Sequence, residues 1–471
     1  MNAPQIWIIV PGIFAIVAMV FRRWRRISGV IGAMLAVSLA GLAWIVPIGE
    51  KFKLLFWTIE ISNSLTVLGR RFILTTNDRI ILILIYSAAA FWIIGALVST
   101  KNRIFTPISI GISALLVAAL AIEPFLYAAI ILEMVVLVCA ILLIKPGKTR
   151  NRGVVRFLSL QSLAMPFILF SGWLLSGVEV NPEDSTLVLQ AAILMAIGFG
   201  LFFSIFPFHS WIPLVAEEAD PIPGSFVFYV LPLAIGLLGI TFLERFTWLY
   251  TTPWLYVYLR FSGVLMVILG SLWAAIQNNL ARLFGFTVIL EIGLTLLMLS
   301  LGLGSIQNRP LMALFFTASF PRGISYGLWA LSLSIVKNNR NSLDYQAIRG
   351  IVYEHPMAVT GFALAVFSLI GIPLTAGYNP MVGVWQYLNE LFPLAANVSI
   401  FGSIGLTIGL FRALANIFQS TGEVEWRVHE KMGERILIVL ACIGLIVFGI
   451  FPQLYTSSLV NLGLAFLNIS P

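Results

Sequence analysis

Four ionisable side chains lie in or beside long apolar runs, where a charge is costly. Glu133 sits in Ile-Leu-Glu-Met-Val-Val-Leu and Glu291 in Val-Ile-Leu-Glu-Ile-Gly-Leu. Arg322 follows Pro321, and His209 is one of three histidines. A charge at mid-bilayer costs at least about 2.5–3.5 kcal/mol, so such groups are functional candidates by default. A carboxyl or imidazole there can carry protons, whereas an arginine stays protonated and fixes a partner's charge. Each also has a plainer reading: Glu133 hydrogen-bonded in a helix interface, Arg322 as a structural ion between helices, His209 as a loop histidine. Glu291 is placed within a turn or two of a membrane surface, and Glu123, before Pro124, at a solvated helix end. All seven lysines (51, 53, 101, 145, 148, 337 and 431) fall in loops or at helix ends, so none lies mid-span. Cys139 and Cys442 lie in apolar runs without a CxxC, which reads as small buried hydrophobes. No cofactor, metal ligand set or redox site is expected, and the chain itself has no catalytic residues to assign.

The elements that must position these groups are helical. The chain has 471 residues, 60% of them hydrophobic and 10% charged, with mean hydropathy +1.00. Apolar runs near the 20 residues that span a bilayer follow one another almost end to end. The alternating short strands of a membrane barrel are missing. The reading is an all-α polytopic membrane protein, a single membrane domain over residues 1–471, with about fourteen spans at roughly 5–21, 28–47, 80–98, 104–122, 124–144, 155–176, 186–206, 226–244, 254–276, 284–303, 311–336, 357–376, 393–417 and 435–456. The first run is continuous with the next and is not a cleaved signal. The net charge of +8 reads as positive-inside bias, with no nucleic-acid partner. With the N-terminus outside, the inside loops hold eighteen basic residues, including Lys145–Arg156, and the outside loops eight. Residues 50–79 are too polar to span and predict a small external hairpin. Residues 178–185 form an acidic external loop, and the tail after Phe451 lies along the surface. Pro321 should kink or unwind the helix over 311–336, with Arg322 capping freed carbonyls or meeting a carboxylate. The stretch Pro207–Ser225 holds four prolines, His209, Trp211 and three carboxylates. It is either a plain loop or a re-entrant hinge beside an ion path, since broken backbone at membrane depth survives only where protein or water satisfies it.

Four motifs in order resemble the antiporter-like membrane subunits of respiratory complex I, membrane-bound hydrogenases and multisubunit cation/proton antiporters. Pro207-Phe208-His209-Ser210-Trp211-Ile212-Pro213 is similar to the family's Pro-Phe-His-x-Trp-Leu-Pro, and Pro221-Ile222-Pro223-Gly224-Ser225 to its Pro-x-Pro-Val-Ser. Residues 277–287 resemble Gln-x-Asp-Leu-Lys-Arg-Leu-Leu-Ala-Tyr-Ser, keeping Leu280 and Arg282. Residues 371–378 resemble Gly-Leu-Pro-Pro-Leu-Ser-Gly-Phe, and Glu133 sits where the family places a fifth-span glutamate. The resemblance covers residues 80–420. It implies two inverted five-helix repeats, spans 4–8 and 9–13, each with a broken helix, and protons moving along a buried row of lysines and a glutamate. Here the matching positions hold Phe202, a residue among Ala234–Leu237, Ser325 and Met381, and the histidine that usually follows the third motif is Glu291. The implied protein is an antiporter-like subunit of an NADH:quinone oxidoreductase-type or related energy-converting complex, with a degenerate lysine relay and a structural or coupling role. The alternative is an active proton or cation carrier rebuilt on Glu133, His209 and Glu291, with Arg282 and Arg322 beside the pathway. An unrelated lipid or drug transporter does not account for the ordered motifs. Implied partners are other membrane subunits, lipids, and protons or Na+, in a bacterial inner membrane or an equivalent energy-transducing membrane.

Overall fold

The computed structural model describes residues 2–54, 57–100, 102–145, 151–180, 185–246, 252–302, 306–419, 426 and 428–468. Lys101, Lys148, Arg150, Arg427 and residues 181–184 of the expected 178–185 loop lie outside them. Apolar sequence in lipid must satisfy its own backbone, and helices do so segment by segment. The first helices are α1 (Val10–Val20, entered through a π-turn over Gln5–Ile9), α2 (Arg25–Ile45), α3 (Arg79–Ser99), α4 (Phe105–Ala121) and α5 (Ala128–Leu143). Then come α6 (Arg152–Val180), α7 (Ser185–Phe202), α8 (Trp211–Glu218), α9 (Pro221–Arg245), α10 (Pro253–Ile276), α11 (Leu280–Leu301) and α12 (Ala313–Arg340). The rest are α13 (Ile351–Glu354), α14 (Pro356–Ile370), α15 (Tyr378–Leu391), α16 (Pro393–Phe418), α17 (Met432–Ile450) and α18 (Thr456–Phe466).

Among the described residues nine helices are long and apolar enough to cross a membrane, and five shorter apolar helices accompany them. That is not the expected series of fourteen, because α12 is in neither group and α18 is in the second. α12 falls short on polarity, yet its serines at 319, 325, 332 and 334 are buried in protein. The apolar surface is divided by position. α9 and α11 are almost wholly enclosed, whereas α2, α10, α16 and α17 turn rows of large side chains outward, among them Met34, Phe261, Phe401 and Leu440. An apolar girdle of that kind is covered by acyl chains or by neighbouring membrane proteins.

The helices α4–α9 and α10–α16 form two successive sets, and in each the fourth helix is interrupted. α7 stops at Phe202, Ser204 takes a left-handed turn (φ +55°), a single turn covers Phe208–Ser210, and α8 resumes. The hinge reading of Pro207–Ser225 therefore describes the first break. Its last prolines do not belong to the break, because Pro221 and Pro223 occupy the first turn of α9, where no backbone donor is needed. That helix starts five residues before the expected 226. In the second set α14 ends at Gly371 (φ +81°), and the chain restarts as α15. The expected span 357–376 thus stops at Ile370, and a separate half-helix follows it.

Other expectations are corrected. α12 is continuous through Pro321, with no unwound turn there. A proline is tolerated in a membrane helix when the surroundings satisfy the carbonyl it frees, here that of Thr317; two residues further on, the Tyr229 hydroxyl donates to the Ser319 carbonyl at 3.0 Å. α6 runs on to Val180. The tail after Phe451 is a single turn followed by a short helix. α18 packs on α12, with Gly463 and Phe466 against Phe316. Residues 51–73 form two hairpins: β1 (Lys51–Leu54) with β2 (Trp57–Glu60), and β3 (Ser64–Val67) with β4 (Arg70–Ile73). A short β5 (Ile122–Glu123) at the end of α4 adds to β4.

The second break depends on one close approach. A Cβ on Gly377 would lie 1.9 Å from the Ser368 carbonyl oxygen, while the Gly377 N–H donates to the Ser368 hydroxyl at 3.2 Å. Gly377→Ala should therefore push α14 and α15 apart and cost about 1–3 kcal/mol, read as a lowered thermal midpoint of the detergent-purified chain.

Candidate functional site

The first break is wired by neutral groups. α6 carries Gln161, fully buried, and its amide N–H2 reaches the carbonyls of Leu201 and Phe202 at 3.2 Å each and the Ser204 hydroxyl at 3.1 Å. The Trp211 indole N–H donates to the same hydroxyl at 2.7 Å from α8. These bonds receive carbonyls that the end of α7 leaves without helical partners. Phe202, where the resemblance expects a lysine, contributes its carbonyl to the network, and its ring is 2% exposed.

Glu133 on α5 accepts from the Ser162 hydroxyl of α6 at 2.6 Å, and its second oxygen is buried without a partner. The carboxylate thus lies against α6, while Met134 and Leu137 beside it face outward. His209 stacks on the half-exposed Phe206, ring centroids 5.7 Å apart. Among the described residues no hydrogen bond or ion pair joins Glu133 or His209 to Glu291.

The second set holds the charged pair. Arg322 of α12 donates from Nε to Glu291 Oε2 of α11 at 2.8 Å, and from a terminal nitrogen to the Thr295 hydroxyl at 2.7 Å. Glu291 is 4% exposed. α11 begins at Leu280 under the Asn279 side-chain cap, four residues earlier than the expected 284. Glu291 is eleven residues, about 17 Å, up that helix. Two small cavities flank the pair. One, about 30 Å3, is lined by Pro321, Ser368, Gly377 and Met381, and the other, about 20 Å3, by Tyr229, Thr295, Ser319 and Tyr326. Each is large enough for about one water, and Glu291 Oε1 is buried without a protein partner. Ser325, one turn from Arg322, is buried with its hydroxyl unpaired. Ala234–Leu237 are buried in α9, where Gly236 meets the Phe315 ring. Arg282 stands apart, pairing with Glu217 at 2.8 Å where α11 meets α8 near the surface.

A family model described as NADH:quinone oxidoreductase/Mrp antiporter, TM, matches residues 125–407, more than half of the chain. The chain belongs to this antiporter-like membrane family. The NADH-quinone oxidoreductase subunit N of Psychrobacter arcticus is 27% identical over 57% of this chain, and that of Ectopseudomonas mendocina 25% over 64%. The chain spans 56% and 63% of the lengths of those relatives. Among solved structures, a chain of an archaeal membrane-bound sulfane sulfur reductase superposes with TM-score 0.81 at 14% identity, covering 99% of this chain and 98% of that one. A chain of the Mrp complex from Dietzia sp. DQ12-45-1b gives 0.79 at 14% identity, covering 99% and 97%. At such identities the likeness carries the fold alone. This family member is thus a multi-pass membrane protein whose two interrupted helices are wired differently, one by an amide and one beside an ion pair.

The residues that sequence reading overlooked are Gln161, Ser204, Tyr229 and Thr295. Gln161 did leave a signal, an amide within an otherwise apolar run, but only charges were weighed there. Removing its donors should matter: Gln161→Leu takes the amide from the Phe202 carbonyl, leaves the Leu201 carbonyl only the Ser204 N–H, and should destabilise the purified chain by about 1–3 kcal/mol. For the ion pair, Arg322→Met alone should cost about 3–5 kcal/mol by stranding the Glu291 carboxylate, while Arg322→Met with Glu291→Leu should recover most of that loss. A double-mutant cycle on thermal midpoints checks both.

Proposed function

We propose that this chain is a membrane subunit of an NADH:quinone oxidoreductase-type or related energy-converting complex, and that it holds and couples neighbouring subunits without passing protons along a lysine row. The observation that carries this is the neutral wiring of the first break, where the Phe202 carbonyl, Gln161, Ser204 and Trp211 occupy the place of a titratable relay. Phenylalanine and methionine cannot titrate, and a bare charge crossing an apolar gap meets at least about 2.5–3.5 kcal/mol. The names of the relatives support membership in such a complex. The neighbours would be other membrane subunits, and the membrane a bacterial inner membrane. The core over 80–420 would form two inverted repeats within one membrane domain of fourteen spans.

A second reading rests on Glu291. Its unpartnered oxygen and the two water-sized cavities around the Arg322 pair would suit a rebuilt proton or cation path confined to the second set of helices, with Glu133 and His209 outside it.

The two readings separate in proteoliposomes holding the full chain under an imposed potential. The structural reading expects flux near the lipid background, and no change with Glu133→Gln. Robust flux abolished by Glu291→Gln but not by Glu133→Gln establishes the second reading instead. Loop charge further proposes an outside N-terminus. Single cysteines at positions 26 and 71 should label from opposite sides of the membrane, with 26 inside, and labelling from one side would overturn the topology.

A further inference from the structure

At the end of the molecule away from the β-hairpins, the ends of α2, α3, α5, α9, α12 and α17 leave a recess of about 1030 Å3. Six cations line it, Arg25, Arg26, Arg103, Lys145, Lys337 and Lys431, against one lining carboxylate, Asp220. Asp220 lies 3.2 Å from Lys145 and 3.8 Å from Lys337, and Glu434 lies 3.8 Å from Lys431. Those carboxylates serve the lysine side of the recess. Among the described residues no carboxylate pairs with Arg25, Arg26 or Arg103. Arg25 is held in place by donating to the carbonyls of Leu97 and Thr100 at the end of α3. Arg26 and Arg103 are exposed and make no such bond among the described residues.

The same arginines also wall a second recess of about 620 Å3 on their outer side, with Arg23, Trp24 and Ile27. Trp24 is 62% exposed and stacks on Phe21, ring centroids 5.9 Å apart. Below it the outer face of α2 presents Ile27, Val30, Ile31, Met34 and Val37, each 45–58% exposed. Exposed tryptophan beside arginine at a helix start marks the headgroup level of a bilayer. An apolar strip therefore leads from the acyl region directly to unpaired arginines.

We propose that this double recess is a binding site for an anionic phospholipid, its phosphate anion held by Arg25, Arg26 and Arg103 and its acyl chains laid along α2. Basic pockets between membrane helices attract anionic headgroups at close range. The apolar strip selects a lipid over a free phosphate ester, because it offers a chainless anion nothing. It also argues against a water-soluble acidic segment, which would leave that strip uncovered; a neighbouring membrane helix in its place is the outcome that crosslinking at position 26 detects. The site is independent of whether the subunit conducts.

The experiment is native mass spectrometry of the full detergent-purified chain titrated with phosphatidylglycerol, phosphatidylcholine and glycerol 3-phosphate. The expected result is one phosphatidylglycerol bound per chain at least ten-fold more tightly than phosphatidylcholine, with no adduct of glycerol 3-phosphate. Arg26→Gln with Arg103→Gln should weaken phosphatidylglycerol about 30-fold, the order expected for two surface cations. Arg25 is left intact because it braces α3. The charge-matched control, Arg22→Gln with Arg156→Gln, removes two exposed cations outside both recesses and should change binding less than three-fold. Equal binding of the two phospholipids, equal loss in the control, or glycerol 3-phosphate binding as tightly as the lipid would each overturn the proposal. So would a photo-crosslinker at position 26 that captures a protein neighbour in the assembled complex and no lipid.

Discussion

Everything in this molecule follows from the rule that backbone broken inside a membrane must be satisfied by the chain itself. Each interruption is therefore enclosed. The first lies under α6, whose Gln161 amide reaches the carbonyls of Leu201 and Phe202, while the returning Trp211 indole holds the Ser204 hydroxyl. The second is closed by contact, with Gly377 pressed onto the Ser368 carbonyl and no room for a side chain. Breaks of this kind need a core around them, which is why α9 and α11 are nearly sealed from the surroundings while the outer helices carry the lipid-facing surface.

The two closures differ in energetic character. Neutral hydrogen bonds are each worth roughly 1 kcal/mol net, and their loss leaves carbonyls unpaired but no charge stranded. The Glu291–Arg322 pair near the second break is a high-stakes arrangement, because removing one ion strands the other in protein. The same surroundings that make the pair costly to disturb also keep two water-sized spaces at its sides. The first set of helices is thereby fixed by shape and amide chemistry. The second retains a polar centre linking α11, α12 and the adjoining half-helix α15.

Much of the architecture was legible because apolar run length and helix are tied together in lipid. The Pro207–Ser225 stretch announced the first break, and the motif order announced the family. What escaped reading was local. α11 starts at Leu280 because the Asn279 side chain accepts from the N–H groups of Ala281 and Arg282, a cap hidden in a polar dipeptide, and missing it put the helix start four residues too late. α15 is too polar to register as a span, so a half-helix read as loop. Pro221 and Pro223 looked like breakers, although a helix start accepts them. Of the kink or unwound turn read at Pro321, the unwound turn is not found, since α12 is helical through that residue. The pairing of Arg322 with a carboxylate was one of two expected outcomes; its partner was not foreseen, since contact between α11 and α12 is a tertiary matter.

The placement of α8 bears on how the protein is made. This half-helix belongs to the first set but rests on α11 of the second. Gly285 sits so close that a Cβ there would meet the Pro213 backbone at 2.7 Å, and Arg282 reaches Glu217 across the joint. Synthesis delivers α8 to the membrane some seventy residues before its seat on α11 emerges. For that interval Trp211 and Glu218 already have their partners in the first set, at Ser204 and Gly153, and it is Glu217 that waits for Arg282. The joint between the two sets is thus closed by the later half of the chain, where Gly285 and Arg282 of α11 meet α8.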